Sequence, residues 1–111
     1  MIKFKDKEYH CSMELTLAII GGKWKVLILW YLGDKTIRFN ELRRTLPNIT
    51  QKMLTQQLRE LEGYGLVKRF AYAQIPPKVE YSLTDSGKSI LPILANLGQW
   101  GQSYANSETD K

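Results

Sequence analysis

A break at Pro47-Asn48-Ile49 separates two stretches of helical periodicity, and this limits the possible folds more than any other feature of the chain. Upstream, Phe39, Leu42 and Leu46 recur at spacings of three and four, which predicts a short helix over 39–46. Downstream, Thr50 can accept from a free backbone N–H of a first turn, and Leu54, Leu58 and Leu61 share one face of a helix over 51–64. Lys52, Thr55, Gln56 and Arg59 stand opposite those leucines, an outer face with two cations and no acid. Gln51 begins the same helix. Hydroxyl, amide and cationic side chains hold phosphates or meet base edges in a duplex groove. A solvated polar face has the same chemistry, and this helix alone does not separate the two. Two helices joined by so short a turn form a helix-turn-helix.

After Gly63 and Gly65 the period changes. Residues 66–73 and 79–83 read as strands, with a turn over 74–78 that Pro76 and Pro77 stiffen and keep out of a ladder. A β-hairpin directly after the second helix makes a wing, so the expected class is mainly α with a small β-hairpin wing, a winged helix-turn-helix. Thr36-Ile37-Arg38 can add a short strand. Around the paired helices, Arg38, Asn40 and Arg43 are candidates for phosphate contacts, with Arg44 beside them, and Lys78 is expected near the wing tip. Lys68 and Arg69 lie on opposite faces of their strand, so at most one faces DNA.

The flanks supply scaffold. Residues 1–10 are charged and unpatterned and are expected to form a loosely ordered arm, leaving 11–108 as the domain. Ser12 is the expected cap of an apolar helix that Gly21-Gly22 ends; it should be buried on most sides, against its own domain or a second chain. Lys23 to Leu32 reads as a helix closed by Gly33, with Trp24, Leu27, Ile28 and Tyr31 in one stripe and its tryptophans in the core. Thr84 caps a last helical region that either kinks or restarts at Pro92. Its band of Ile93, Leu94, Leu97, Trp100, Gly101 and Tyr104 needs a second surface, most simply a symmetry mate. The expected homodimer interface is Leu15, Leu17, Ile19, Leu94, Leu97, Trp100 and Tyr104, and residues 106–111 are expected to fray.

Charge identifies the partner class. The net charge is +5, yet residues 38–78 carry eight Lys and Arg, with every arginine of the chain, against three Glu. A basic middle flanked by less basic ends suits a polyanion, here double-stranded DNA. No apolar run spans a bilayer, and one cysteine precludes an internal disulfide; a cytoplasmic protein without membrane contact is expected. The lone His10 has no partner for a triad or metal site, and no phosphate-binding loop is present, so neither an enzyme nor a cofactor is indicated. A protein-interaction module is the other class open to such a fold, and it would call for an acidic or apolar recognition face.

With these elements placed, the chain resembles the HxlR-type winged helix-turn-helix regulators, relatives of the MarR group. The resemblance is carried by Gly21-Gly22-Lys23-Trp24, Arg38 to Leu42, Leu46 to Leu54, Leu58 to Leu61, Pro76 to Tyr81, Leu83-Thr84 and Trp100-Gly101, and covers 11–104. It implies a dimeric DNA-binding regulator; the expected function is control of transcription, as a repressor blocking promoter access, and two recognition helices related by a two-fold demand a near-palindromic operator. The resemblance also implies a cysteine near the N-terminus, here Cys11, which in some members senses oxidants or electrophiles. On its own residues, Cys11 precedes a helix N-terminus and follows Lys3, Lys5 and Lys7, which favour a thiolate, while Glu8 and Glu14 oppose it. A buried, inert thiol is the alternative.

Overall fold

The computed structural model describes residues 1–109. Strands β1 (Ile2–Phe4) and β2 (Lys7–Tyr9) precede helices α1 (Ser12–Ile20) and α2 (Lys25–Leu32). Strand β3 (Ile37–Arg38) leads into α3 (Phe39–Thr45) and α4 (Gln51–Gly63), and β4 (Val67–Tyr72) and β5 (Lys78–Leu83) form the wing. Helices α5 (Asp85–Lys88) and α6 (Leu91–Thr109) end the fold. The architecture is a winged helix-turn-helix.

The α3–α4 turn follows from its residues. Ile49 is buried, Asn48 takes a positive φ of 67°, which Asn tolerates better than most residues, and the Thr50 hydroxyl accepts from Met53 N–H at 3.1 Å. At the other end of α4, Leu66 N–H donates to the Leu61 carbonyl and Gly65 N–H to that of Glu62, with Gly65 at φ 73°. This left-handed cap closes the helix and aims the chain straight into β4. The sheet runs β3-β5-β4, all antiparallel, with Ile37 and Arg69 both opposite Tyr81.

The core gathers around α2. Ile28, Leu29 and Leu32 are sealed from solvent together with Leu42, Leu54, Leu58 and Leu61, so α2 underpins both helices of the helix-turn-helix. Each such side chain contributes about 1.5–3 kcal/mol by leaving water. Leu94, in the first turns of α6, closes this core at 4% exposure.

Several expectations are corrected. The N-terminal arm is not loosely ordered. Residues 2–9 form a hairpin on α1, because Ile2, Phe4 and Tyr9 turn towards the protein while Lys3, Lys7 and Glu8 face solvent. The α1 N-cap is Cys11, with Ser12 inside the helix. Within its own domain helix α1 buries Ile20 alone, with Met13 and Leu17 exposed, which leaves a second chain as the surface that could cover its other sides. Helix α2 starts at Lys25, two residues late, and of its tryptophan region only Trp24 is core; Trp30 and Tyr31 reach solvent. Of the two outcomes expected at Pro92, the chain takes the restart: Pro92 sits in the first turn of α6, where a missing N–H costs no hydrogen bond. The helix continues through Asn106 to Thr109, in a stretch expected to fray; Asp110 and Lys111 lie outside the described residues. Leu94, expected between subunits, is instead in the core, and Ile19 packs partly against that core. No single helix among the described residues is long and apolar enough to cross a membrane.

Candidate nucleic-acid interface

Helix α4 has its leucines inward and Gln51, Lys52, Gln56 and Arg59 exposed, with Thr55 half-buried at their edge. Beside it, α3 and the wing enclose an open groove of about 1000 Å³. Arg38, Arg44, Arg59, Arg69 and Lys78 bring five cations to its walls, interleaved with Asn40, Gln51 and Thr55; Glu41 and Glu62 are its acids. Among the described residues no ion pair neutralises any of the four arginines. A second depression of about 450 Å³ lies along α4 itself, lined by Gln51, Lys52, Thr55, Gln56 and Arg59. The arrangement offers forked guanidinium donors beside amide and hydroxyl groups, the combination that grips phosphates and meets base edges.

Most of the residues singled out from the sequence converge here: Arg38, Asn40, Gln51, Lys52, Thr55, Gln56, Arg59 and Lys78. Thr50 is exposed at the α4 N-terminus, its hydroxyl oxygen occupied as a cap. Arg43 is exposed but lines neither hollow; Arg44 takes the place expected for it. Arg44 stands one helical turn after Asn40, a spacing that puts both on one face and could have identified it. Of Lys68 and Arg69, of which at most one is expected to face DNA, the groove takes Arg69. Arg69 shares strand parity with the buried Val67, so it faces the body of the domain while Lys68 points away. The outer face is also less free of acid than the sequence suggests, because Glu62 reaches the groove from the flank of α4.

Lys78 lies near the wing tip, as expected: it pairs with Tyr72 in the last rung of the ladder before the 73–77 turn. It opens β5, half-buried, with its Nζ 3.7 Å from Glu80 and 4.4 Å above the Tyr72 ring. Tyr72 in turn donates its hydroxyl to Glu80 at 2.6 Å, and that bond to a carboxylate raises the Tyr72 pKa. The outer end of the wing is therefore a braced cluster, and the turn beyond it carries the fully exposed Ile75.

A further polar feature ties α4 to the scaffold. Lys25, at 8% exposure, donates from Nζ to Gln57 Oε1 at 2.9 Å and to Glu60 Oε1 at 3.0 Å. Gln56 Nε2 donates to the other Glu60 oxygen at 3.0 Å. The Gln56 bond first, and the Lys25 bond after it, hold the Glu60 pKa below its ordinary value. The sequence hides Lys25 within an apolar helix, and only the packing of α2 under α4 gives it a partner.

Outside the groove, Cys11 is exposed at the N-cap of α1. Met13 and Leu17 of α1, Trp30 and Tyr31 of α2, and Ile93, Leu97, Trp100 and Tyr104 of α6 are also solvent-exposed. Of the seven residues expected between subunits, Leu17, Leu97, Trp100 and Tyr104 are thus exposed, Leu15 and Ile19 are half-buried, and Leu94 is enclosed.

The comparisons agree with this architecture. The sequence pattern of the HxlR-like helix-turn-helix family matches residues 19–109. The HTH-type transcriptional regulator YkvN of Bacillus subtilis (strain 168) is 56% identical over 102 residues, 92% of this chain and 86% of its own. The redox regulator HypR in its reduced form superposes with a TM-score of 0.83 at 48% identity, covering 91% of this chain and 100% of that one. Its oxidised form gives 0.79 at 54% identity, covering 84% and 96%. With the winged helix and its basic groove in place and the family pattern running over nearly the whole fold, the chain belongs to the HxlR-like helix-turn-helix family.

Proposed function

We propose that the protein binds double-stranded DNA as a homodimer and regulates transcription, as a repressor that blocks promoter access. In this reading Thr50, Gln51, Lys52, Thr55, Gln56 and Arg59 enter the major groove, and Arg38, Asn40, Arg44, Arg69 and Lys78 hold the flanking backbone. Arg43 meets phosphate outside the groove. The observation that carries the reading is the convergence of five cations with α4's amide and hydroxyl groups on one groove. The same charge disfavours a protein-interaction module, which would present an apolar or acidic face there. A cytoplasmic location belongs to this reading.

The homodimer reading is supported by the exposed apolar side chains of α1, α2 and α6, with the Trp100 and Tyr104 rings stacked at 5.3 Å. Solvent exposure of so many large apolar groups is costly for a monomer. Two α4 helices related by a two-fold about 34–36 Å apart then require a near-palindromic operator. Selection of bound duplexes from a random pool is the test. A palindromic consensus supports the reading, and equal affinity of wild type and a Lys52/Gln56/Arg59 triple alanine variant for the selected site overturns it.

Cys11 is the site of an oxidant or electrophile response in this proposal. Its exposure at the start of α1, beside the interface helices, and the likeness to a redox regulator support it. An oxidant such as diamide removes two electrons, joining the Cys11 sulfur to a small thiol or to Cys11 of a second copy while diamide takes up the two protons. Operator binding that diamide abolishes in wild type and leaves intact in Cys11→Ser supports the switch. Identical behaviour of the two proteins makes the thiol structural.

A further inference from the structure

The Gln56 side chain lies at the middle of α4's outer face, almost opposite Leu54 and Leu58, so it projects furthest from the domain. A glutamine there is ordinarily free to turn its amide end for end, offering either its carbonyl or its NH₂ group to a neighbour. This one is not free. Its Nε2 donates to Glu60 Oε2, one turn further on, at 3.0 Å. The other carboxylate oxygen accepts from Lys25 Nζ at 3.0 Å, and Lys25 is buried and held a second time by Gln57. An ionised carboxylate only accepts hydrogen bonds, so the amide must turn its NH₂ group, never its carbonyl, towards Glu60. The lowered Glu60 pKa keeps that carboxylate ionised at neutral pH.

One N–H is thereby committed. What Gln56 has left is one N–H donor and the Oε1 acceptor. In the major groove, adenine sets an N6 donor beside the N7 acceptor and matches that pair. Guanine presents two acceptors, N7 and O6, while cytosine presents a donor and thymine an acceptor alone. A freely turning amide can offer both N–H groups to guanine; an amide tethered to Glu60 cannot.

We infer that Glu60, anchored by the buried Lys25, is a positioning residue that fixes the Gln56 amide to read adenine in the major groove. The inference rests on the proposed docking of α4 in that groove. It deepens that proposal by naming one base and the internal bonds that select it. Lys25 and Glu60 touch no DNA; they act through Gln56. Removing either should change which base is preferred, beyond any change in how tightly DNA is held.

Duplexes are selected from a random pool with wild type, Gln56→Ala, Glu60→Gln, Glu60→Ala and the double variant Gln56→Ala/Glu60→Gln. Melting curves confirm that each variant is folded. The quantity compared is the ratio of affinities for adenine and guanine at each operator position, which cancels differences in overall binding. Wild type should prefer adenine at one position of each half-site by about five- to a hundredfold, the range of a good bidentate contact. Gln56→Ala should flatten that position alone. Glu60→Gln and Glu60→Ala should admit guanine there, and the double variant should be no flatter than Gln56→Ala. Replacing that adenine by 7-deazaadenine, which lacks the N7 acceptor, should weaken wild type about tenfold or more and leave Gln56→Ala unaffected. Folded Glu60 variants that keep the wild-type ratio overturn the positioning role, as does a Gln56→Ala consensus identical to that of wild type. A wild-type protein that enriches no duplex is a separate result, overturning the DNA-binding proposal and this inference with it.

Discussion

The Tyr64 hydroxyl, just past the end of α4, donates to the Ala18 carbonyl of α1 at 3.3 Å. The same ring stacks on Phe4 with centroids 6.4 Å apart, and Lys5 lies 5.1 Å above it while donating to the Gly63 carbonyl. The N-terminal hairpin and α1 therefore hold the C-terminal end of the proposed recognition helix, a place where unpaired carbonyls need donors.

That clamp predicts a graded loss of stability. Phe4→Ala should cost about 1–2 kcal/mol, below the range for fully buried phenylalanines because Phe4 is half-buried. Tyr64→Phe should cost about 0.5–1 kcal/mol for one exposed hydrogen bond. Urea unfolding of the variants measures both; a Phe4→Ala midpoint equal to wild type would show that the hairpin rests on α1 without bracing α4.

Arg44 and Arg69 should bind phosphate without reading sequence. Arg44→Ala and Arg69→Ala are each expected to weaken operator and scrambled duplex alike and to reduce the salt slope of binding by about 0.9 per lost contact. Arg43→Ala, outside the groove, should have a smaller effect, and Lys68→Ala none. Affinity measured across a series of salt concentrations ranks the four. Lys68→Ala weakening binding as much as Arg69→Ala would reverse the strand parity assigned to the wing.

Trp100→Glu and Leu17→Glu should each place a charge in the proposed subunit contact and dissociate it, with loss of operator binding. Sedimentation velocity at micromolar concentration gives the assembly directly. Leu94→Ala should behave differently. Its side chain lies in the core, so a loss of about 2–5 kcal/mol in folding stability is expected, whatever the assembly. Monomeric wild type that still binds its site tightly would remove the dimer from the mechanism.

The Glu60 network sets a pH dependence with a definite sign. Glu60 has a folded pKa below its ordinary 4.5, so its stabilising contribution is present above that value and is lost as pH falls through the lowered one. Gln56→Ala removes the largest cause of the shift and should shrink the acid-side loss of stability. Tyr72 has the opposite sign. Its raised pKa means a contribution present below the ordinary 10.0 and lost as pH rises through the folded value, and Tyr72→Phe should abolish that alkaline dependence. Thermal melts across pH separate the two, since each variant should alter one limb and spare the other.

Local chemistry alone determined the helix-turn-helix and the wing. The leucine spacing of α4, the Thr50 cap, the break at Pro47-Asn48 and the change of period after Gly65 all act within a few residues, so each can be read from the chain itself. The same locality explains the exposed stripe from Lys52 to Arg59. Tertiary structure decided what depends on contacts distant in sequence. Lys25 is buried only because Gln57 and Glu60, over thirty residues away, can satisfy its ammonium group, and Leu94 enters the core because α6 packs on α2. Periodicity gave Leu94 and Leu97 the same apolar character; α2 covers one and leaves the other in solvent. The hairpin at residues 2–9 is not legible in the sequence because three-residue strands carry too little alternation to stand out, and its order comes from α1 and Tyr64 beneath it. Which arginines share a groove was likewise a matter of how β4, α3 and α4 meet, a relation that no single element contains.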